Sequence, residues 1–375
     1  MESTTHKKTG KMVKEVLIKT RDKVVDIARG VCIIIMILRH AEAWWGKGQQ
    51  VFKYAGVFFL VFFFFCSGLF YNEPKNKGRY LLKRFYRLEI PYMIVCLMVL
   101  VKRYYSGVRP VSSVVYSFFY ALPAGFESPY LLFGEKTTGI GPAWFLNCLF
   151  VSSCIYVGAG LCLRKITYHR VTDSSEKGSD SELNTETILK TIVIVILAVM
   201  ASISQKYVVL PFNIQDGLIG VMFLHLGVLA APYVRKTIAW ARMDILKTST
   251  VFIVLLFIYY LDINYVPYQW LDLGRNKYNP QSLLGTCLGF LLLILASVLL
   301  EKVKWVGHLI AFIGLNSMII LIIHSVDIII LRDWSQVSWP FVFATFVVYV
   351  SATYVYVELK KVILQKRTTE KWRNR

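Results

Sequence analysis

Long apolar runs separated by short basic gaps leave this chain essentially one class of fold. Segments 24–43, 51–71, 88–106, 143–163, 188–208, 215–232, 250–267, 282–300, 309–331 and 338–357 are predominantly apolar. Each is close to the roughly 20 residues a helix needs to cross a hydrocarbon core about 30 Å thick. Repeated apolar runs of this length read as transmembrane helices rather than a globular core. Apolar residues make up 56% of the 375 and charged residues only 18%, a composition that argues against soluble domains. The expected fold is an all-α polytopic membrane protein with about ten transmembrane helices.

The formal charge of +20 would point a soluble protein toward nucleic acid. Here Lys and Arg gather in the gaps between apolar runs, which is the pattern of membrane topology, and no nucleic-acid partner is expected. With ten spans and a cytoplasmic N-terminus, the inward-facing segments hold 30 of the 43 Lys and Arg residues. Both termini are therefore expected in the cytoplasm. Segment 111–133 is interrupted by prolines and a glycine and is read as an interfacial or re-entrant piece. As an eleventh span it would send the basic cluster at 233–249 outside. The expected organisation is a basic N-tail (1–23), a membrane domain (24–357) and a basic C-tail (358–375). Within the domain, the polar stretch 164–187 reads as a mobile cytoplasmic loop. No signal peptide is read before the first span. The seven cysteines lack CxxC spacing, so neither a disulfide framework nor a metal site is expected.

Ionisable groups inside an apolar span are costly and read as functional by default. Arg29 and His40 lie in the first span, eleven residues apart. Eleven steps of about 100° bring both side chains to one helix face, separated by about 16 Å along the axis. The alternative is structural: Arg29 snorkels, Asp26 one turn away neutralises it, and His40 marks the outer interface. In the second span, Ser67-Gly68 is a small pair among phenylalanines and reads as a packing site. Arg84 and Arg87 are three apart near the cytoplasmic surface. They suit phosphate recognition, although on charge alone they fit the ordinary inside bias. Trp144 is open between an interfacial aromatic and a ligand wall, and Asn147 between a ligand and a neighbouring helix. His324 in the ninth span has a depth similar to His40, and Asp327, one turn on, is placed to orient an imidazole. The sequence leaves open whether the two histidines meet. His225 reads as a packing histidine.

Taken in order, these segments resemble acyltransferase family three, in particular its fucose 4-O-acetylase-like branch. The resemblance rests on Asp26-Ile-Ala-Arg-Gly30 followed by His40, and on Phe63-Phe-Phe-Cys-Ser-Gly68 and Lys83-Arg-Phe-Tyr-Arg-Leu-Glu-Ile-Pro91. Trp144-Phe-Leu146 and Gly314-Leu-Asn-Ser317 with His324 complete it. It implies ten spans and transfer of an acyl group, usually acetyl from acetyl-CoA, to a hydroxyl of a cell-surface saccharide or its lipid-linked precursor. His40 and Arg29 are then the expected catalytic residues. Arg84, Arg87, Trp144, Asn147 and His324 are expected to bind substrate. Arg39 departs from the small residue common before the histidine and alters the acceptor side of the pocket.

The partners expected on this reading are acyl-CoA as co-substrate, with no bound cofactor, a glycan acceptor and membrane lipid. The location expected is the cell membrane. The rival reading is a multi-span transporter or flippase for a lipid-linked or small anionic solute, with Arg29 and His40 lining its path. A membrane sensor or scaffold without chemistry is the third.

Overall fold

The computed structural model describes residues 22–45, 50–107, 111–121, 140–171, 179–205, 207–266, 271–273, 277–278, 282–328 and 339–373. The helices are α1 (Lys23–Trp45), α2 (Gln50–Ala55), α3 (Val61–Leu69), α4 (Lys77–Tyr105), α5 (Val111–Tyr120), α6 (Trp144–Val171) and α7 (Ser179–Ser204). They continue as α8 (Ile214–Met243), α9 (Ile245–Tyr265), α10 (Ser282–Lys302), α11 (Lys304–Leu315), α12 (Ser317–Val326) and α13 (Trp339–Arg373). Two 3-10 turns, Gly141–Ala143 and Pro211–Asn213, and a small antiparallel pair, Leu271–Asp272 with Lys277–Tyr278, are also described.

Among the described residues, six helices are long and apolar enough to cross a membrane, or seven if the bent pair α11–α12 counts as one span. The protein is a multi-pass membrane protein. Each of the ten expected segments carries helix. The two long helices that fall short of the test are charged: α1 by Asp26, Arg29 and Arg39, and α4 by Glu89, Lys102 and Arg103. Those same helices carry Arg29, His40, Arg84 and Arg87. The exteriors are apolar, as lipid contact requires: Ile253 and Phe257 on α9 are 65% and 61% exposed. Polar residues point inward instead, and Ser152, Thr286, Ser297 and Ser325 each donate to the backbone carbonyl four residues back.

Helix ends are set locally. The Asn76 side chain accepts from the Arg79 N–H at 2.8 Å to start α4, and Asp244 accepts from the Lys247 N–H at 3.0 Å to start α9. Asp22 accepts from the Val24 N–H and also from Arg242 at 2.9 and 2.8 Å. Arg242 donates in addition to Glu301, so one guanidinium ties the start of α1 to the ends of α8 and α10.

Segment 111–133 was read as interfacial or re-entrant. Its described part is the ten-residue α5, about 15 Å long and too short to cross the core; the Tyr92 hydroxyl donates to the Phe118 carbonyl at 2.7 Å and ties it to α4. Residues 122–133 lie outside the described residues. The polar stretch 164–187 differs from the loop expected. Helix runs through Val171 on one side and begins at Ser179 on the other, with 172–178 outside the described residues. Helical hydrogen bonding continues past the apolar run, and Arg164 meets Glu186 across the two helices at 3.2 Å.

Glycines allow the closest crossings. A Cβ on Gly30 would overlap the Ile310 carbonyl, and one on Gly314 would overlap the Asp26 carbonyl, so α1 and α11 meet backbone to backbone. Gly68 and Gly227 do the same for α3 and α8. Ser67-Gly68 therefore packs as expected. Around them Phe62, Phe65, Phe223 and Phe290 form edge and tilted ring contacts between 4.5 and 6.3 Å.

Candidate active site

The chain leaves helix at Asn316, whose amide donates to the Phe312 carbonyl at 2.9 Å, and α12 departs from α11 at 68°. That bend aims α12 along α1. Arg29 Nη2 donates to Ser317 Oγ at 2.8 Å, at the beginning of α12, and keeps Asp26 at 3.7 Å. His40 Nδ1 lies 3.0 Å from His324 Nε2, and the ring centroids are 4.9 Å apart. Arg29 and His40 thus face the same neighbour, as their spacing predicted, and the two histidines meet.

The pair does not stand alone. His324 Nδ1 lies 3.2 Å from the Tyr349 hydroxyl on α13, and that hydroxyl donates to Asp327 Oδ2 at 2.6 Å. His324, Tyr349 and Asp327 are buried, whereas His40 is half-buried. The Tyr349 hydroxyl thus links Asp327 to the His324 imidazole.

Residues 22–357 match the sequence profile of acyltransferase family three, which describes an acyltransferase domain. The chain belongs to acyltransferase family three. It is a membrane acyltransferase. No curated protein and no solved structure matches the chain.

The acyltransferase holds its other candidate residues in different settings. Trp144 is buried, edge-on to Phe145 at 6.0 Å, which disfavours an interfacial belt residue. It follows the turn Gly141–Ala143, which packs against α12 and begins with Gly141 at φ 70°, a backbone conformation suited to glycine. Asn147 donates its amide to both oxygens of Glu89 at 3.3 Å, so that group serves a neighbouring helix. The Asn147 carbonyl oxygen, also buried, has no hydrogen-bond partner among the described residues. Arg84 is half-buried, donating to the Tyr80 hydroxyl at 3.1 Å and Ser67 Oγ at 3.4 Å, while Arg87 is exposed. His225 is a packing histidine, between the Tyr156 and Thr191 hydroxyls at 3.3 and 2.9 Å.

Sequence reasoning missed Ser317, Glu89 and Tyr349. Ser317 sat within a quoted motif, and Glu89 carried the warning of a carboxyl in an apolar run. Tyr349 is one of 22 tyrosines, and nothing local distinguishes it.

Proposed function

We propose that this acyltransferase moves an acetyl group from acetyl-CoA to a hydroxyl of a cell-surface saccharide or its lipid-linked precursor, in the manner of the fucose 4-O-acetylase-like branch. It works in the cell membrane, with ten spans and both termini in the cytoplasm. The observation that carries this reading is the His40–His324 contact at 3.0 Å: an imidazole held at depth on the helix that also bears Arg29.

A thioester is already activated, so the reaction needs orientation and a proton acceptor for the sugar hydroxyl. His40 takes that proton as the oxygen attacks the thioester carbonyl. The new C–O ester bond forms, the C–S bond breaks, and the imidazolium returns the proton to the departing thiolate. Arg29 stays protonated and cannot be the base. It steadies the α1–α12 groove through Ser317. Arg84 and Arg87 receive the CoA phosphates from the cytoplasm, with Trp144 as a wall for the sugar ring and Asn147 and His324 lining the acceptor side.

Purified protein given radiolabelled acetyl-CoA and candidate glycans should transfer label covalently. His40→Ala at normal membrane levels should lower transfer by about 10²–10⁴-fold. A His40→Ala protein with near wild-type transfer would sink the base assignment. Helix breaks at 56–60 and at Asn316 favour the transporter as the second reading, because broken helices mark transport sites. Uptake of an anionic or lipid-linked solute without covalent transfer would establish it.

A further inference from the structure

The hydrogen-bond chain from Asp327 to His40 fixes which nitrogen of His40 is bare. A carboxylate only accepts, and a phenol has one proton to give. Tyr349 gives its proton to Asp327 Oδ2 at 2.6 Å, so toward His324 its oxygen accepts. His324 Nδ1, 3.2 Å from that oxygen, must then carry hydrogen. A neutral imidazole has one N–H, so His324 Nε2 is bare and accepts from His40 Nδ1 at 3.0 Å. His40 Nε2 is left with its lone pair.

The reverse order fails at its far end. If His324 Nε2 donated to His40, its Nδ1 would need the Tyr349 proton. The phenol oxygen and the carboxylate would then face each other as two acceptors. His324 is 0%, Tyr349 1% and Asp327 2% exposed, so bulk water does not repair such a clash.

We infer that Asp327 and Tyr349 are positioning residues that act through His324 to hold His40 as the Nδ1–H tautomer, with Nε2 facing the acceptor hydroxyl. The inference rests on the reading of His40 as the base. It gives α12 and α13 a share in the reaction although neither Asp327 nor Tyr349 touches substrate. When His40 becomes cationic, the bare Nε2 of His324 accepts its remaining N–H throughout, so no proton need shift along the chain.

The test is NMR of the full-length protein with heavy nitrogen in its histidines, together with kinetics. Wild-type His40, assigned by its absence from His40→Ala, should be protonated at Nδ1 and bare at Nε2. Asp327→Ala removes the acceptor that draws the Tyr349 proton away from His324, and should let the His40 proton move to Nε2. In Tyr349→Phe and Asp327→Ala, kcat should fall by about 10²–10⁴-fold, as expected for a wrong tautomer, with the KM for acetyl-CoA within about twofold. A wild-type spectrum with His40 protonated at Nε2 overturns the inference whatever the Tyr349 and Asp327 variants do. Wild-type kcat in Tyr349→Phe alongside an inactive His40→Ala also overturns it and leaves the base assignment standing. An active His40→Ala overturns the base assignment itself.

Discussion

At the scale of single residues, the charges within and beside the apolar spans are held by specific partners. Arg29 is shared between Ser317 and Asp26, and Arg84 between Tyr80 and Ser67. Replacing Arg84 and Arg87 together by alanine should raise the KM for acetyl-CoA by about ten- to a hundredfold and change kcat little, because hydrogen bonds to charged groups are worth about 1.5–3 kcal/mol. Initial rates across acetyl-CoA concentrations read this directly, and an unchanged KM rules out the phosphate role. Glu89 is 5% exposed, and both its oxygens face the Asn147 amide. Glu89→Ala leaves that buried amide without its acceptor, a cost of about 1–3 kcal/mol. Thermal unfolding in detergent should show a lower Tm for Glu89→Ala than for Glu89→Gln. Equal values would mean that the amide contact contributes nothing.

Among elements, the decisive contact is the crossing of α1 with α11. It sets where α12 begins, and so whether His324 reaches His40. A leucine at Gly314 would drive its Cβ into the Asp26 carbonyl, and backbone has little room to give. Overpacking of this kind costs about 1–3 kcal/mol or more. Gly314→Leu should therefore lower Tm and also abolish transfer, because the Arg29–Ser317 and His40–His324 contacts both depend on that approach. Retained activity in a folded Gly314→Leu protein would show that the crossing does not position the site. The same crossing was only partly legible beforehand. Gly30 and Gly314 both lay in quoted motifs, but that they meet each other is a matter of tertiary packing. The 68° bend was not foreseen, since Asn316 carries no proline-like signal; its side-chain amide shares the Phe312 carbonyl with its own backbone N–H.

Across the whole molecule, the proposed topology puts the stretch 164–187 on the cytoplasmic side and 44–50 on the other. A cysteine at Ser174→Cys should react with a membrane-impermeant thiol reagent only when the cytoplasmic face is open, and one at Gln49→Cys should react from outside in intact cells. The opposite labelling would invert the topology, and with it the side from which acetyl-CoA arrives. The sequence by itself determined the helical membrane class, because backbone groups in hydrocarbon admit few other structures, and helix appears in every expected span. It also determined that Arg29 and His40 share a face, because 3.6 residues per turn fixes that without reference to neighbours. Only the tertiary structure decided what that face meets. Ser317, His324, Tyr349 and Asp327 lie between 284 and 309 positions along the chain from the residues of α1 they serve. No local periodicity encodes contact over such separations. It comes from glycine crossings and the bend at Asn316, which exist only once several helices are packed at the same time.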